Sequence, residues 1–160
     1  MFLLDANTYI NAKNLYYSFD FCPAYWAWLD RKFAAGRIAS IDMVANELIA
    51  GNDELVDWVR NRPGHFLPCD DTDTQTLVGV IAQDLMRGNY NQQNRDDFLA
   101  GADPWIRTKA KVMGATVVSH ESIRTQQGKK VKVPNVCQQH GVKCISTFEL
   151  LKILQARFVL

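Results

Sequence analysis

Pro104-Trp105-Ile106-Arg107-Thr108-Lys109-Ala110-Lys111-Val112-Met113, then Gly114, then Ala115-Thr116-Val117-Val118-Ser119: this stretch decides the fold. Ile106, Ala110 and Met113 recur at helical spacing, which predicts a helix over 104–113 with those residues inward. Gly114 is its stop, and the five residues that follow, rich in β-branched side chains, read as the clearest strand in the chain.

The same alternation extends in both directions. Phe2-Leu3-Leu4 predicts a buried strand that ends at Asp5. Pro23 opens a helix with Trp26, Leu29 and Phe33 inward, and Gly36 ends it. Arg37-Ile38-Ala39 is a second short strand. Ser40 is the expected cap of the next helix, which turns Ile41, Val44 and Leu48 inward before Gly51. Asn52 is read as capping a short helix through Leu55 and Val59, closed by Arg62-Pro63-Gly64. Thr74 to Met86 predicts a longer helix with Leu77, Val80, Ile81 and Leu85 on one side. Phe98-Leu99 reads as part of a further helical turn. Lys143-Cys144-Ile145 is a last strand before a C-terminal helix carrying Leu150, Leu151 and Leu154. Strands alternating with helices imply an α/β domain: three α/β/α layers around a central parallel sheet.

Nothing divides the chain of 160 residues into parts, so 1–160 reads as one domain. Hydrophobic residues make up 48% and charged residues 22%, a globular composition that argues against disorder. No apolar run suggests a membrane span, and no basic segment precedes the opening apolar residues, so a cytoplasmic protein without a signal peptide is expected. A formal net charge of +1 means that any nucleic-acid surface must be local. The four cysteines, Cys22, Cys69, Cys137 and Cys144, are widely spread and read as reduced thiols. Cys137, His140 and Cys144 lack a close cysteine pair and a fourth ligand, which argues against zinc.

In an open parallel sheet, ligands bind beyond the carboxyl ends of the strands. Asp5 is expected at that end of the first strand, and Glu121 two residues past Ser119 at that end of another. Glu47 falls two turns into the helix after the second strand. Asp103 precedes Pro104 as an expected helix N-cap. Singly, each acid has an ordinary structural use; together they converge on one edge. Clustered carboxylates repel unless a cation joins them, and oxygen ligands suit Mg²⁺ or Mn²⁺. Such a site performs phosphodiester hydrolysis.

The residues around these acids resemble the motifs of PIN domains. Leu3-Leu4-Asp5-Ala6-Asn7-Thr8-Tyr9-Ile10 is similar to the family's opening, an apolar strand delivering an aspartate that an Asn two positions later supports. Val44-Ala45-Asn46-Glu47-Leu48 resembles the second acidic motif. Ala102-Asp103-Pro104-Trp105-Ile106 resembles the third, and Val117-Val118-Ser119-His120-Glu121 the fourth. Lys13-Asn14 and Lys132-Val133-Pro134-Asn135-Val136-Cys137 look like a bacterial PIN-like branch.

The resemblance implies a metal-dependent endoribonuclease. Asp5, Glu47, Asp103 and Glu121 would be its catalytic and metal-holding residues, with Asn7 and Ser119 supporting them. Many small stand-alone members resemble VapC-type toxins, so an antitoxin partner and a homodimer are implied as well. The chain departs from the family pattern in having Glu at position 121 rather than Asp, and in a longer, more polar stretch between Asp73 and Arg95.

Ser122 to Val133 carries Arg124, Lys129, Lys130 and Lys132, which could hold RNA phosphates beside Glu121 or could form an ordinary solvated loop. Tyr16, Tyr17, Phe19 and Phe21 could stack bases, although core packing and loop anchoring are the commoner use. Asp70, Asp71 and Asp73 are explained by capping of the following helix. His120 should point away from Ser119, because strand side chains alternate. His65 and His140 read as surface or loop residues. A haloacid-dehalogenase-type phosphatase would need a second Asp where Asn7 stands, and a dinucleotide site would need a glycine-rich first turn. The remaining alternative is a PIN-like module that binds RNA or protein without cutting.

Overall fold

The computed structural model describes residues 1–88, 90–120 and 140–159. Glu121, Arg124, Lys129, Lys130, Lys132 and Cys137 lie outside the described residues.

Five strands form one parallel sheet: β1 (Phe2–Leu4), β2 (Ile38–Ile41), β3 (Phe66–Leu67), β4 (Thr116–Val118) and β5 (Cys144–Ile145). Their spatial order is β3-β2-β1-β4-β5, and every pair runs parallel. Leu3 and Leu4 are both fully buried, as are Val117 and Val118, although consecutive strand residues face opposite sides. The central strands are therefore covered on both faces. The helices that cover them are α1 (Ala6–Asn11), α2 (Pro23–Ala34), α3 (Asp42–Ile49), α4 (Glu54–Arg60), α5 (Thr72–Met86), α6 (Gln92–Ala100), α7 (Asp103–Met113) and α8 (Thr147–Ile153). Right-handed crossovers put the helices linking β1, β2 and β3 on one face and those leading to β4 on the other. The expected three-layer α/β/α architecture is the observed one.

The decisive stretch folds as its pattern dictates. α7 packs on β1, β2 and β4 through Ile106 and Ala110, both fully buried. It ends at Gly114, whose φ of +66° lies in the left-handed region that favours glycine. Met113, expected inward, is 40% exposed in the helix's last turn.

Several local expectations change. Ser40 does not cap α3: β2 continues through Ile41, and the Ser40 hydroxyl donates to the Leu4 carbonyl at 2.6 Å. Asp53 rather than Asn52 caps α4, its Oδ1 accepting the Leu55 N–H at 3.0 Å. Val80 on α5 is exposed, whereas Ile81 and Leu85 are buried. β3 has no counterpart in the sequence reading, nor has the helical segment after Asp5, where α1 runs into a π-helical turn at Ala12–Tyr16. Phe158, beyond α8, packs on Tyr17, Tyr25 and Trp28. Among the described residues, no helix is long and apolar enough to cross a membrane.

Candidate functional site

The strand order fixes where a crevice must open. From β1 the chain builds outward to β2 and β3, then returns to the other side for β4 and β5. The connections therefore diverge between β1 and β4, beyond their carboxyl ends. Asp5 is the residue after β1, and Ser119 is the residue after β4. The backbone holds both at this edge. Asp5 donates its N–H to the Val118 carbonyl at 3.0 Å, and Ser119 donates to Ile145 at the same distance.

Asp5 is only 1% exposed and serves as the N-cap of α1. Its Oδ1 accepts the Thr8 N–H at 2.9 Å and lies 2.8 Å from the Thr8 hydroxyl. That hydroxyl also lies 3.1 Å from the Val118 carbonyl, so Thr8 ties the cap to β4. Both cap contacts fall on one carboxylate oxygen, which sets the side chain's orientation. Asn7, half-buried, follows in the first turn of α1.

Glu47 reaches the start of α7, the helix whose first residue is Asp103. Glu47, exposed on α3, accepts the Ala102 N–H on Oε1 at 2.7 Å. A Cβ at Gly101 would sit 3.1 Å from that oxygen, closer than ordinary contact, so glycine permits the approach. Asp103 is the first helical residue and Ala102 the N-cap, a shift of one position from the expected Asp103 cap. Glu47 takes the N–H of the N-cap residue itself, as the glutamate of a capping box does, at the positive end of the helix dipole. α7 packs on β1 and β2 and touches α3, so Asp103 begins a helix in contact with the elements that carry Asp5 and Glu47.

The donor chemistry suits Mg²⁺ or Mn²⁺, since all three acids offer hard carboxylate oxygens. Among the described residues, no three of His, Cys, Asp and Glu are grouped to hold a metal ion. Glu121, the fourth candidate ligand, lies outside the described residues.

Other side chains find clear roles. Asp71 caps α5 and pairs with Lys109 of α7 at 2.5 Å, and Asp73 lies in that helix's first turn. His65 is not a surface residue. The 3₁₀ turn Pro63–His65 brings it inward, 1% exposed, with Nε2 2.7 Å from the Tyr9 hydroxyl. Burial pushes its pKa down to about 4, so the ring is neutral at physiological pH. His140 is half-buried, 3.7 Å from Asp84. Both Ser119 and His120 lie past the end of β4, so strand alternation does not govern them; Ser119 is buried, and His120 lies against Thr147, Tyr16 and Phe148. The sequence reading missed Thr8, although the spacing Asp5-x-x-Thr8 repeats in Asp71-x-x-Thr74. It also missed Phe148, for which no local signal exists.

A family model matches residues 2–158; its description is Domain of unknown function (DUF4411). No curated protein matches the chain.

Proposed function

The chain belongs to the family described as Domain of unknown function (DUF4411), and because that description carries no activity we propose from the site itself that the protein is a divalent-metal-dependent endoribonuclease of PIN-like type. One observation carries the reading. A buried aspartate stands at the switch point of a parallel sheet, while a second carboxylate-bearing helix start packs on the strand that delivers it.

Asp5 and Asp103 would be the main ligands of Mg²⁺ or Mn²⁺, with Glu47 and Glu121 completing the set directly or through water. A bound ion would supply Lewis-acid charge and lower the pKa of a water it held. Thr8 holds Asp5 in one orientation, so little rearrangement is needed when substrate arrives. Glu47 fixes the start of α7 and with it Asp103. Asn7 and Ser119 flank Asp5 and orient the site. Arg124, Lys129, Lys130 and Lys132 would contribute phosphate contacts. The resemblance to VapC-type proteins extends the proposal to a cytoplasmic toxin held by an antitoxin, and to a homodimer.

The test is RNA cleavage with and without Mg²⁺ or Mn²⁺, run beside Asp5→Asn. Metal-dependent cleavage lost in that variant, with its melting curve retained, is the expected result. Undiminished cleavage sinks the assignment. A second reading, an RNA- or protein-binding module without nuclease activity, is favoured by one observation: Glu47 already has structural work at Ala102. A Mn²⁺ titration that detects no binding at these carboxylates would support it.

A further inference from the structure

Four aromatic residues follow α1, and the structure divides them. Tyr17 stacks on buried Tyr25 at 4.5 Å, and Phe19 stacks on Trp26 at 4.0 Å. These two anchor the segment to the core. Phe21 is 70% exposed with no ring partner among the described residues. Tyr16 does something else. It ends the π-helical turn Ala12–Tyr16, a departure from regular helix that recurs at functional sites. The turn is fixed from below, since Lys13 pairs with Asp53 at 2.9 Å. Its outer residue Tyr16, 40% exposed, meets two rings from other elements. His120 lies 5.2 Å away, tilted, and Phe148 lies 5.4 Å away, edge to face. His120 and Phe148 close the triangle at 5.8 Å.

Position gives this cluster its meaning. His120 directly follows Ser119, at the carboxyl edge where β1 and β4 diverge. Phe148 opens α8, just past the carboxyl end of β5. Three rings from three segments thus gather on the rim that carries Asp5, at a spot where aromatic surface remains in contact with water. Burial does not explain them, because Phe148 keeps 45% of its surface exposed.

We propose that Tyr16, His120 and Phe148 form a base-stacking platform that seats an unpaired nucleobase of single-stranded RNA beside the Asp5 site. The proposal rests on the nuclease reading for its substrate class and deepens it. Every base has a π-face, so stacking on such a platform tolerates sequence, while it requires that the base be unpaired and splayed from its neighbours. The platform would thereby select single strands over duplex and set which phosphate reaches the acids. The Tyr16 and Phe148 rings stand nearly perpendicular, so a base stacks on the face of one and meets the other beside it, and the hydrogen bond between His120 and Thr147 at 3.4 Å restrains the third ring.

The test uses the full chain and a short single-stranded RNA carrying one 2-aminopurine, in EDTA so that no metal-dependent cleavage intervenes. Anisotropy reads affinity, and 2-aminopurine quenching reads stacking. Quenching is expected on binding. Tyr16→Ala and Phe148→Ala should each weaken affinity about 10-fold and remove the quenching, whereas Tyr16→Phe keeps both within about 2-fold. Both rings are substantially exposed, and circular-dichroism melting verifies that the variants fold. Absence of RNA binding, or alanine variants that bind and quench like the unaltered chain, overturns the platform. RNA affinity that survives Tyr16→Ala while a protein partner is lost overturns it equally and assigns the surface to that partner. Cleavage assays run in parallel separate the two ideas. Metal-dependent cleavage with unchanged KM in both alanine variants leaves the nuclease and removes the platform. Ring-dependent RNA binding without cleavage keeps the platform and removes the nuclease.

Discussion

Two helices of this protein begin with the same four-residue code, and the two starts differ in where the sheet places them. Asp71-x-x-Thr74 opens α5, and Asp5-x-x-Thr8 opens α1. At α5 both carboxylate oxygens are engaged. Oδ1 takes the Thr74 N–H at 2.9 Å, while Oδ2 takes the Thr74 hydroxyl at 2.9 Å and Lys109 at 2.5 Å. At α1, Oδ1 takes both the Thr8 N–H and the Thr8 hydroxyl. Asp71 sits at the surface, after an edge strand, with a cation beside it. Asp5 sits buried after the central strand, at the switch point. Identical local chemistry thus produces a structural cap in one place and a candidate ligand in the other, and the sheet decides which.

The largest expected effect tests that contrast directly. Asn caps a helix as well as Asp does, so Asp5→Asn should leave the melting temperature nearly unchanged. Metal-dependent RNA cleavage should fall at least about 100-fold, as it should when EDTA removes the metal. A variant that cuts RNA at the normal rate would make Asp5 a mere cap like Asp71, and the comparison would collapse.

Acid sharpens the same contrast, because the two regions lose stability in different windows. His65 packs with Tyr9, one turn beyond Asp5 on α1. Burial lowers its pKa from 6.5 to about 4. The unfolded chain therefore binds the extra proton first, and stability falls as pH drops from 6.5 toward 4. The loss across that window is about 3 kcal/mol. Urea unfolding at a series of pH values measures it, and His65→Leu should flatten this slope while lowering stability at all pH.

A smaller effect concerns the start of α7. Glu47→Ala removes the acceptor of the Ala102 N–H and should destabilise by about 1 kcal/mol, the carboxylate being exposed. Glu47→Gln keeps an acceptor oxygen and should recover most of that stability in chemical denaturation. If Gln restores the fold yet not cleavage, the charge at Glu47 matters to the site; full recovery of both confines Glu47 to capping.

The smallest effect belongs to Asp71→Asn. Cleavage should be unchanged, because this carboxylate serves α5 and Lys109. The hydrogen bond from Lys109 holds its pKa well below the usual carboxylate range, with Thr74 adding to the effect. Its stabilisation is therefore present above about pH 3.9, the unfolded value, and is lost as pH falls below it. Asp71→Asn should remove that acid-induced loss while the His65 window remains, as thermal melts at low pH can establish.

Elements with strong periodicity or clear punctuation were legible in the sequence. α7 announced itself by inward residues at helical spacing and by Gly114, and β4 by its β-branched run. The first strand and its terminal Asp5 were equally plain. β3 was not, because two residues carry no period. Its existence depends on Ser40 and Ile41 pairing with Phe66 and Leu67. Ser40 looked like a helix cap because serine before an apolar run usually is one; burial of β2 on both faces extended the strand past it. Asp103 before Pro104 likewise suggested a cap, until Glu47 from another helix took the adjacent backbone N–H.

By itself the sequence determined the alternation of strands and helices, the α/β class that follows from it, and the delivery of Asp5 to a strand's carboxyl end. These depend on short-range periodicity and stop signals, which any segment carries within itself. Only the tertiary structure decided the strand order, the partner of Glu47, the burial of His65 against Tyr9, and the meeting of Tyr16 with His120 and Phe148. Each of those joins residues distant in sequence, and packing of the whole sheet selects them. The Asp-x-x-Thr code shows the division most clearly: it specifies a cap twice, and the sheet alone separates a surface cap from a buried carboxylate at the crevice.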